Sequence, residues 1–331
     1  MIDVVTLAAE LIALETPTGS EAPAVDFVAR WLVSRGWNVT VQEVTRGRGN
    51  VWASRAGGGV TLSTHLDTVP PFIRPSLDGD RLLGRGACDA KGIAAAMLVA
   101  ADQLVHEGEE RVDLLMVIGE EGGSDGARAA NQLPATSRFL INGEPTESKL
   151  ATGAKGSLRV KVRTGGRAAH SAYPELGCSA IDPMLALLPA VQRLSLPTDP
   201  VLGETTVNIG TIRAGTEANI IPDRAEAELM FRLVGDVDDV KCALEQCVDG
   251  RAQLEYGSHI PVQRFHTIPG IGTASVAYTT DIPLLDRWGT PLLFGPGSIH
   301  VAHTPHEFID VRELRESVPT YVRLVRSLLG A

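Results

Sequence analysis

The sequence has little of what nucleic-acid-binding and membrane proteins need. Aromatic residues make up only 5% of the 331 residues, and the formal net charge is −10 with no long basic run. Few aromatic side chains are available to stack on bases, and the negative charge repels phosphate and anionic lipid. No apolar run approaches the roughly 18 residues of a membrane span. We therefore expect neither nucleic acid nor a membrane as a partner.

Cysteine is also scarce. The chain contains Cys88, Cys178, Cys242 and Cys247, which are widely spread and form no CxxC pair. A disulfide framework is unusual in a chain of this length, so reduced thiols are the expectation. The amino-terminal segment MIDVVTLAAELIALET has the pattern of an amphipathic helix and lacks the basic region and cleavage site of a secretory signal. These features predict a cytoplasmic protein.

The hydrophobic residues, 44% of the chain, are enough for two domains with sizeable cores. Up to residue 155, short apolar runs alternate with helical segments, which predicts parallel strands covered on both faces. Residues 156–262 read instead as strand, helix, strand, strand, helix, strand, the order of a split ferredoxin-like unit. Residues 263–331 return to the first pattern. We expect an α/β fold: a mostly parallel-sheet domain (1–155 and 263–331) with an inserted α+β domain (156–262).

Acidic and histidine side chains stand where the predicted strands of the first domain end, or in the loops that follow. They are His65, Asp67, Asp89, Glu120, Glu121 and Glu144. Loops at the carboxyl ends of parallel strands gather along one sheet edge, where ligands bind. With one histidine of the loop SIHVAHTPHE, these residues would suit two zinc-like ions bridged by a carboxylate. That histidine is His300, His303 or His306.

The adjacent acids Glu120 and Glu121 follow an apolar run that predicts a buried strand. On an extended segment, neighbouring side chains point to opposite sides, so one acid can hold a metal while the other moves protons. Glu120 suits the general base that takes a proton from water. Asp67, two residues after His65, suits an acceptor for the second N–H of that imidazole, which would fix its tautomer.

Each residue also has an ordinary structural interpretation. A Glu-Glu pair is most often a solvated turn, and His65 can be a hydrogen-bonded histidine at a strand end. Asp89 stands at the expected N-cap of an Ala-rich helix, and Glu144 can be a turn acid. These interpretations explain the residues singly, but they give no reason for all of them to share one sheet edge.

The motifs resemble those of the M20 family of di-zinc metallopeptidases and deacylases, which includes acetylornithine deacetylase and succinyl-diaminopimelate desuccinylase. The matching segments run in family order and cover most of the chain from residue 60 to 310: STHLDTVP, GRGACDAKG, IGEEGG, INGEPT, GGRAAHSAYPELG, GTEANIIPD and GPGSIHVAHTPHE. The resemblance implies a catalytic domain, formed by the two outer segments, and an inserted lid domain through which the protein forms a homodimer.

The resemblance also implies two divalent metal ions, with zinc expected and cobalt possible. The implied ligands are His65, Asp89, Glu121, Glu144 and His303. Asp89 would be the bridge, Glu120 the general base and Asp67 the partner of His65. His303 is preferred to its neighbours because the family's ligand histidine precedes a threonine, as in AHTPHE.

The inserted domain is expected to contribute further residues. The resemblance implies that His170 reaches into the partner subunit's active site to stabilise the oxyanion. Asn219, Arg232 and Gly297 are the expected substrate-binding residues. Arg232 alternates with Leu229 and Phe231, so it lies on the polar face of its strand, which is equally typical of a solvated arginine. His170 also has an ordinary interpretation, as a plain loop histidine.

The expected function is hydrolysis of the amide bond of an N-acyl amino acid, such as an N-acetyl-ornithine-like substrate in amino-acid biosynthesis. Glu120 would take a proton from water and return it to the leaving amine. The alternative is a dipeptidase or carboxypeptidase that uses the same site on a short peptide. A third possibility is a catalytically silent metal- or amino-acid-binding protein, against which the intact Glu120 argues.

Overall fold

The computed structural model describes residues 3–330, which divide into two compact units. The first contains the chain up to Thr152 together with Phe265–Ala274 and the segment from Thr280 onward. The second contains Gly153–Arg264 and Ser275–Thr279. The last of these segments was expected in the first domain. It belongs to the second because its backbone is bonded there: the N–H of Lys155 donates to the carbonyl of Val276 at 3.2 Å.

The expected α/β fold class is confirmed. The helices within residues 3–330 are α1 (Val4–Ile12), α2 (Ala22–Val33), α3 (Lys91–His106), α4 (Asp125–Ala130), α5 (Ile181–Gln192), α6 (Val237–Val248) and α7 (Val311–Leu329). The strands are β1 (Asn38–Thr45), β2 (Arg48–Ser54), β3 (Val60–His65), β4 (Ser76–Asp78), β5 (Arg81–Leu83), β6 (Val112–Val117), β7 (Phe139–Asn142), β8 (Leu150–Ala154), β9 (Gly156–Gly165), β10 (Ala169–His170), β11 (Thr198–Asp199), β12 (Gly203–Glu204), β13 (Thr206–Ala214), β14 (Ile220–Ile221), β15 (Arg224–Leu233), β16 (Gln253–Ile260), β17 (Gln263–Arg264), β18 (Thr273–Val276), β19 (Thr290–Leu293) and β20 (Phe308–Asp310). No helix in the described part of the chain combines the length and hydrophobicity needed to cross a bilayer.

The first unit is built on a six-stranded sheet of order β1-β2-β6-β3-β7-β19. The four strands from β6 to β19 are parallel, as the alternating sequence pattern predicted. The opposite edge of the sheet is antiparallel. There β1 and β2 form a hairpin, and β2 pairs antiparallel with β6. The alternating sequence pattern predicted parallel strands up to residue 155, and this hairpin departs from that prediction. The hairpin forms where the chain reverses at Gly47, whose φ of 77° favours glycine.

Both faces of this sheet are buried, which explains the continuous apolar runs of its central strands. On β6, Leu114 and Met116 belong to the larger core, which also contains the buried residues of α1, α3 and α7. Leu115 and Val117 point the other way and pack in a smaller core with Trp288. Because β3, β6 and β7 are parallel and covered on both sides, their carboxyl ends meet at one open edge.

The second unit contains a four-stranded antiparallel sheet of order β13-β15-β9-β16. Along the chain the elements run β9, α5, β13, β15, α6, β16, which is the ferredoxin-like order. The buried residues of α5 and α6 form one core with the inward side chains of the sheet. The other face carries charged residues in cross-strand ion pairs, among them Lys161 with Glu226 and Glu228.

Asp113 is a buried acid in the central sheet whose charge opposes folding. It is 3% exposed, and its Oδ1 accepts no hydrogen bond from residues 3–330. Burial raises the pKa of its carboxyl group from 3.8 to about 6. Because the folded-state pKa is the higher one, the ionised group destabilises the fold progressively as the pH rises from about 4 through 6.

We expect Asp113→Asn to stabilise the protein at pH 8, by a free energy of unfolding on the order of 2 kcal/mol. The gain should shrink as the pH falls to 5, because the parent side chain is then neutral in the folded state. Thermal unfolding of parent and variant at both pH values measures it, with the exposed Asp26→Asn as control. A gain that is the same at pH 5 and pH 8 would contradict this account.

Candidate metal centre

Three parallel strands bring functional residues to the same edge of the central sheet. Strand β3 ends at His65, β6 leads into the 3₁₀ turn that begins with Glu120 and Glu121, and β7 leads into the loop that contains Glu144. Asp89 reaches this edge from the loop before α3. His303 reaches it from a loop more than 200 residues later in the chain.

The carboxylate of Asp89 lies between two halves of this cluster. Its Oδ1 is 3.0 Å from Nε2 of His65, and its Oδ2 is 3.2 Å from Nε2 of His303. On the first side, Oε2 of Glu144 is 4.0 Å from Nε2 of His65. On the second side, Oε1 of Glu121 is 2.7 Å from Nε2 of His303. One carboxylate oxygen faces each half, which is the arrangement that a bridging ligand requires.

The donor atoms of this cluster fit divalent metal ions. Ligand atoms of His65, Asp89 and Glu121 all lie within 4.8 Å of one another. Oε1 of Glu144 is buried and has no hydrogen-bond partner within residues 3–330, although a buried carboxylate oxygen is costly to leave unpaired. Two imidazole nitrogens and several carboxylate oxygens are ligands that zinc accepts.

The acids around the two histidines raise the pKa of both imidazoles. Hydrogen bonds to Asp89 and Glu121 raise the pKa of His303 to about 10. Burial opposes charge on His65, yet its hydrogen bonds to Asp67 and Asp89 raise its pKa well above the ordinary value. Burial likewise opposes charge on Asp89, but the two histidines hold the pKa of this carboxyl group well below its usual range.

Burial and neighbouring carboxylates raise the pKa of two further acids of the cluster. Burial, and then the nearby charge of Asp281, raise the pKa of Glu120. Burial, together with Glu120 and Asp89, raises the pKa of Glu144, although His65 opposes this shift. A divalent cation in the cluster would relieve this repulsion between carboxylates.

No motif of the sequence pointed to Asp281. It is 1% exposed, and neither carboxylate oxygen has a hydrogen-bond partner within residues 3–330. Burial raises its pKa from 3.8 to about 6. Its only local signal is an acid after two threonines, TTD, which is equally typical of a turn. Its proximity to the cluster comes from the tertiary fold.

Asp67 holds the turn that carries Glu120 and Glu121. Its Oδ1 accepts the N–H of Glu120 and its Oδ2 that of Glu121, each at 3.1 Å. The Thr18 hydroxyl also donates to Oδ2 at 2.8 Å. Nδ1 of His65 lies 2.9 Å from the carbonyl oxygen of Asp67 and 3.5 Å from its Oδ1. Asp67 therefore contacts His65 where expected, but mainly through its backbone.

Two local expectations were wrong. Glu120 and Glu121 are not in extended conformation, because β6 ends at Val117 and Glu120–Gly122 form a 3₁₀ turn. The turn is possible because Gly119 has a φ of 74°, and a Cβ there would lie 1.9 Å from a carboxylate oxygen of Asp125. Asp89 is not the N-cap of α3: that position is Ala90, which makes no side-chain cap.

Among the three candidate histidines of the last loop, His303 is the one whose imidazole contacts the acids of the cluster. Its backbone has a φ of 63°, a left-handed conformation that is uncommon for a residue other than glycine. Such conformations are concentrated at functional sites, where the surrounding structure maintains them. His300 and His306 are exposed.

The candidate residues of the inserted domain lie within the second unit. β10 pairs with β14, so that His170 stands opposite Ile220, and the N–H of Ser171 donates to the carbonyl of Asn219 at 2.9 Å. His170 and Asn219 are therefore close neighbours. Nδ1 of His170 accepts the N–H of Ala172 at 3.1 Å, and the side chain is exposed.

Arg232 and Gly297 differ in whether their polar groups already bond to other residues of the described chain. Arg232 lies on the half-buried outer face of β15 and forms no ion pair with any residue between 3 and 330, and burial and the nearby Arg159 lower its pKa. Gly297 has a φ of 87°, and a Cβ there would lie 2.7 Å from that of Cys88. Its N–H donates to Glu313 at 3.0 Å.

Comparison with known proteins decides the family. Residues 61–327 match peptidase family M20/M25/M40. The chain belongs to this family. A peptidase M20 domain-containing protein of Schizosaccharomyces pombe is 38% identical to this M20 protein over 98% of the chain and 84% of the relative. A probable carboxypeptidase of Aspergillus flavus is 37% identical over 97% of the chain and 86% of the relative.

Solved structures support the same fold. A tripeptidase from Staphylococcus aureus superposes with a TM-score of 0.82 at 19% identity, covering 99% of this chain and 98% of that one. A dinuclear metal-binding M20 peptidase from Bacillus subtilis superposes with a TM-score of 0.72 at 17% identity, covering 99% and 98%. The expected membership in the M20 family, whose members are hydrolases of amide bonds, is confirmed. The narrower similarity to acetylornithine deacetylase and succinyl-diaminopimelate desuccinylase is not confirmed by these relatives.

Glu120 and Glu121 provide a matched pair of substitutions. Glu121→Gln should weaken zinc binding about tenfold or more, because a neutral amide replaces a carboxylate 2.7 Å from His303. Glu120→Gln should leave the zinc content at the parent level. Metal analysis after equilibration at fixed free zinc measures both. Equal losses in the two variants, or no loss in either, would contradict the division of roles between them.

Proposed function

We propose that this M20 protein is a metallo-carboxypeptidase, which hydrolyses the amide bond before a C-terminal amino acid. The observation that carries the proposal is the cluster of acids and imidazoles arranged on the two sides of Asp89. The name of the Aspergillus flavus relative supports the choice of peptide substrate. Deacylation of N-acyl amino acids is the second candidate, because it breaks the same kind of bond and also releases a free amino acid.

The ligand set would hold two divalent ions, one by His65 and Glu144 and the other by Glu121 and His303, with Asp89 between them. Zinc is the proposed metal, given the mixed nitrogen and oxygen donors, and cobalt is the alternative. When bound, such ions polarise the substrate carbonyl and lower the pKa of a water molecule.

The protein's own groups then move and position protons. Glu120 accepts the proton of the attacking water and returns it to the nitrogen of the leaving amine. Asp67 keeps Glu120 and Glu121 in place by accepting both of their backbone N–H groups. Asp67 also contacts Nδ1 of His65 through its carbonyl, so the Nε2 atom of that imidazole faces Asp89.

Substrate recognition is proposed for the second unit. Arg232 has a guanidinium group without an ion-pair partner in the described chain, and such a group can bind a carboxylate through two hydrogen bonds. Both candidate substrates present a free carboxylate. His170 and its neighbour Asn219 are proposed to contact the scissile carbonyl, with His170 stabilising the oxyanion.

A homodimer formed through the second unit is also proposed. β13 is an edge strand of the antiparallel sheet, and Ile212 on this strand is 52% exposed. On α5, Leu185 is 61% exposed. A free strand edge with exposed apolar side chains suits an isologous contact with a second copy. His170 would then act in the active site of the partner subunit.

A substrate panel separates the two candidate activities. The zinc-loaded protein would be assayed on N-acetyl amino acids, on N-blocked dipeptides, and on the same dipeptides with an amidated C-terminus. A carboxypeptidase should cleave the N-blocked dipeptides and reject the amides, because the carboxylate that Arg232 would bind has been removed. Activity confined to N-acetyl amino acids would establish the deacylase instead. Glu120→Gln should abolish either activity, and activity that survives this change would come from another source.

Mixing inactive variants tests whether His170 acts in the partner's site. His170→Ala and Glu120→Gln would each be inactive alone. A mixed dimer contains one site with Glu120 from one subunit and His170 from the other, so random mixing should restore about a quarter of the parent activity. Analytical ultracentrifugation would verify the dimer. A fully active monomer, or mixing without recovery, would contradict action in trans.

A further inference from the structure

Glu307 is a buried acid close to the cluster that none of the preceding roles includes. It is 1% exposed, and its Oε1 accepts the backbone N–H groups of Gly86, Cys88 and Asp89 at 2.9, 3.3 and 3.2 Å. Its Oε2 forms an ion pair with Arg85, which is itself 2% exposed. The Cys88 thiol also donates to Oε1 at 3.7 Å, so that one side chain satisfies five donors on a single loop.

The backbone brings Glu307 to this loop from the far end of the chain. β20 begins directly after Glu307 and pairs antiparallel with β5, which ends directly before the loop. The N–H of Gly84 also donates to the carbonyl of Glu307 at 3.1 Å. The Asp89 loop begins where β5 ends, and the His303 loop ends where β20 begins. Because these two strands are antiparallel, both loops lie at the same end of the strand pair. The first loop carries Asp89, and the second carries His303, whose Nε2 atom faces Oδ2 of Asp89.

We propose that Glu307 is a positioning residue that fixes the Asp89 loop to the His303 loop and so sets the geometry of the metal site shared by these two ligands. It does so through the backbone, by orienting the peptide N–H of Asp89 and its neighbours. This inference rests on the proposed di-metal function. Glu307 is not one of the proposed metal ligands.

The effect falls mainly on the half of the cluster that contains His303. His65 ends β3, which is buried along its length between two parallel neighbours, and Glu144 closely follows the parallel strand β7. These two ligands remain positioned by the sheet when Glu307 is changed. His303 lies in a loop, with a φ of 63° and a side chain that is 47% exposed, so it depends more on neighbouring contacts.

Glu307→Gln tests the role with little change in volume. An amide has one acceptor oxygen, so its NH2 group must face either Arg85 or the backbone N–H groups, and both are donors. We expect one of two zinc-binding steps to lose about 10- to 100-fold in affinity, while the other step is unchanged. Titration calorimetry with zinc measures both steps, and the visible spectrum of the cobalt-loaded protein reports the ligand geometry independently of activity.

Two further variants make the result decisive. Glu307→Asp keeps the charge for Arg85 but draws the oxygens back by one methylene, and it should show the same selective loss. Leu32→Ala truncates a buried side chain of α2 and should lower thermal stability while both binding steps persist. Unchanged zinc affinities in both folded Glu307 variants, equal weakening of both steps, or the same loss in Leu32→Ala would each overturn the inference. A parent protein that binds no zinc would refute the proposed function itself.

Discussion

The contact of one buried carboxylate with two imidazoles holds this site together. Asp89 is 5% exposed, and each of its oxygens faces a different histidine. A charge removed from water is tolerated only when it is paired and hydrogen-bonded, so the fold must deliver both partners accurately. One partner ends a central strand, and the other comes from a loop near the end of the chain. The antiparallel pairing of β5 with β20 brings the loops of Asp89 and His303 together.

The surroundings of Asp89 show a conflict between stability and chemistry. Glu144 has a buried oxygen without a partner, and Asp281 has two, as judged over residues 3–330. Neutral side chains of similar shape would avoid this cost. Concentrations of buried acids with raised pKa values are typical of functional sites, where a bound cation compensates them. Folding and metal binding are therefore expected to be coupled in this protein.

The two units differ in how they use polar residues. In the first, Asp89 and His65 are buried at a sheet edge and hold each other in fixed positions. In the second, charged residues such as Lys161 and Glu226 pair on an exposed sheet face, while His170 and Asn219 stand on a short exposed ladder. Exposed groups can change partners when a ligand arrives, whereas buried groups are held in place.

The amino-acid sequence by itself determined the secondary structure of most of the chain, because hydrophobic periodicity reports directly which face of an element is buried. It also indicated the parallel order of β3, β6 and β7 and the ferredoxin-like order of the insertion. The short motifs identified the M20 family. The predictions that failed concern the local shape of the backbone. The turn at Glu120–Gly122 and the hairpin of β1 and β2 depend on glycine conformations and on neighbouring strands.

Only the tertiary structure decided which residues meet. The resemblance to the family singled out His303 among three histidines of one loop, and the fold places its Nε2 atom 3.2 Å from Oδ2 of Asp89. Asp281 and Glu307 carry no local signal of their roles, since an acid in a loop is ordinary. Their significance comes from burial and from contacts with distant parts of the chain; Arg85 and Glu307 are 222 positions apart. Such contacts depend on the packing of the whole first unit, which no short stretch of sequence encodes.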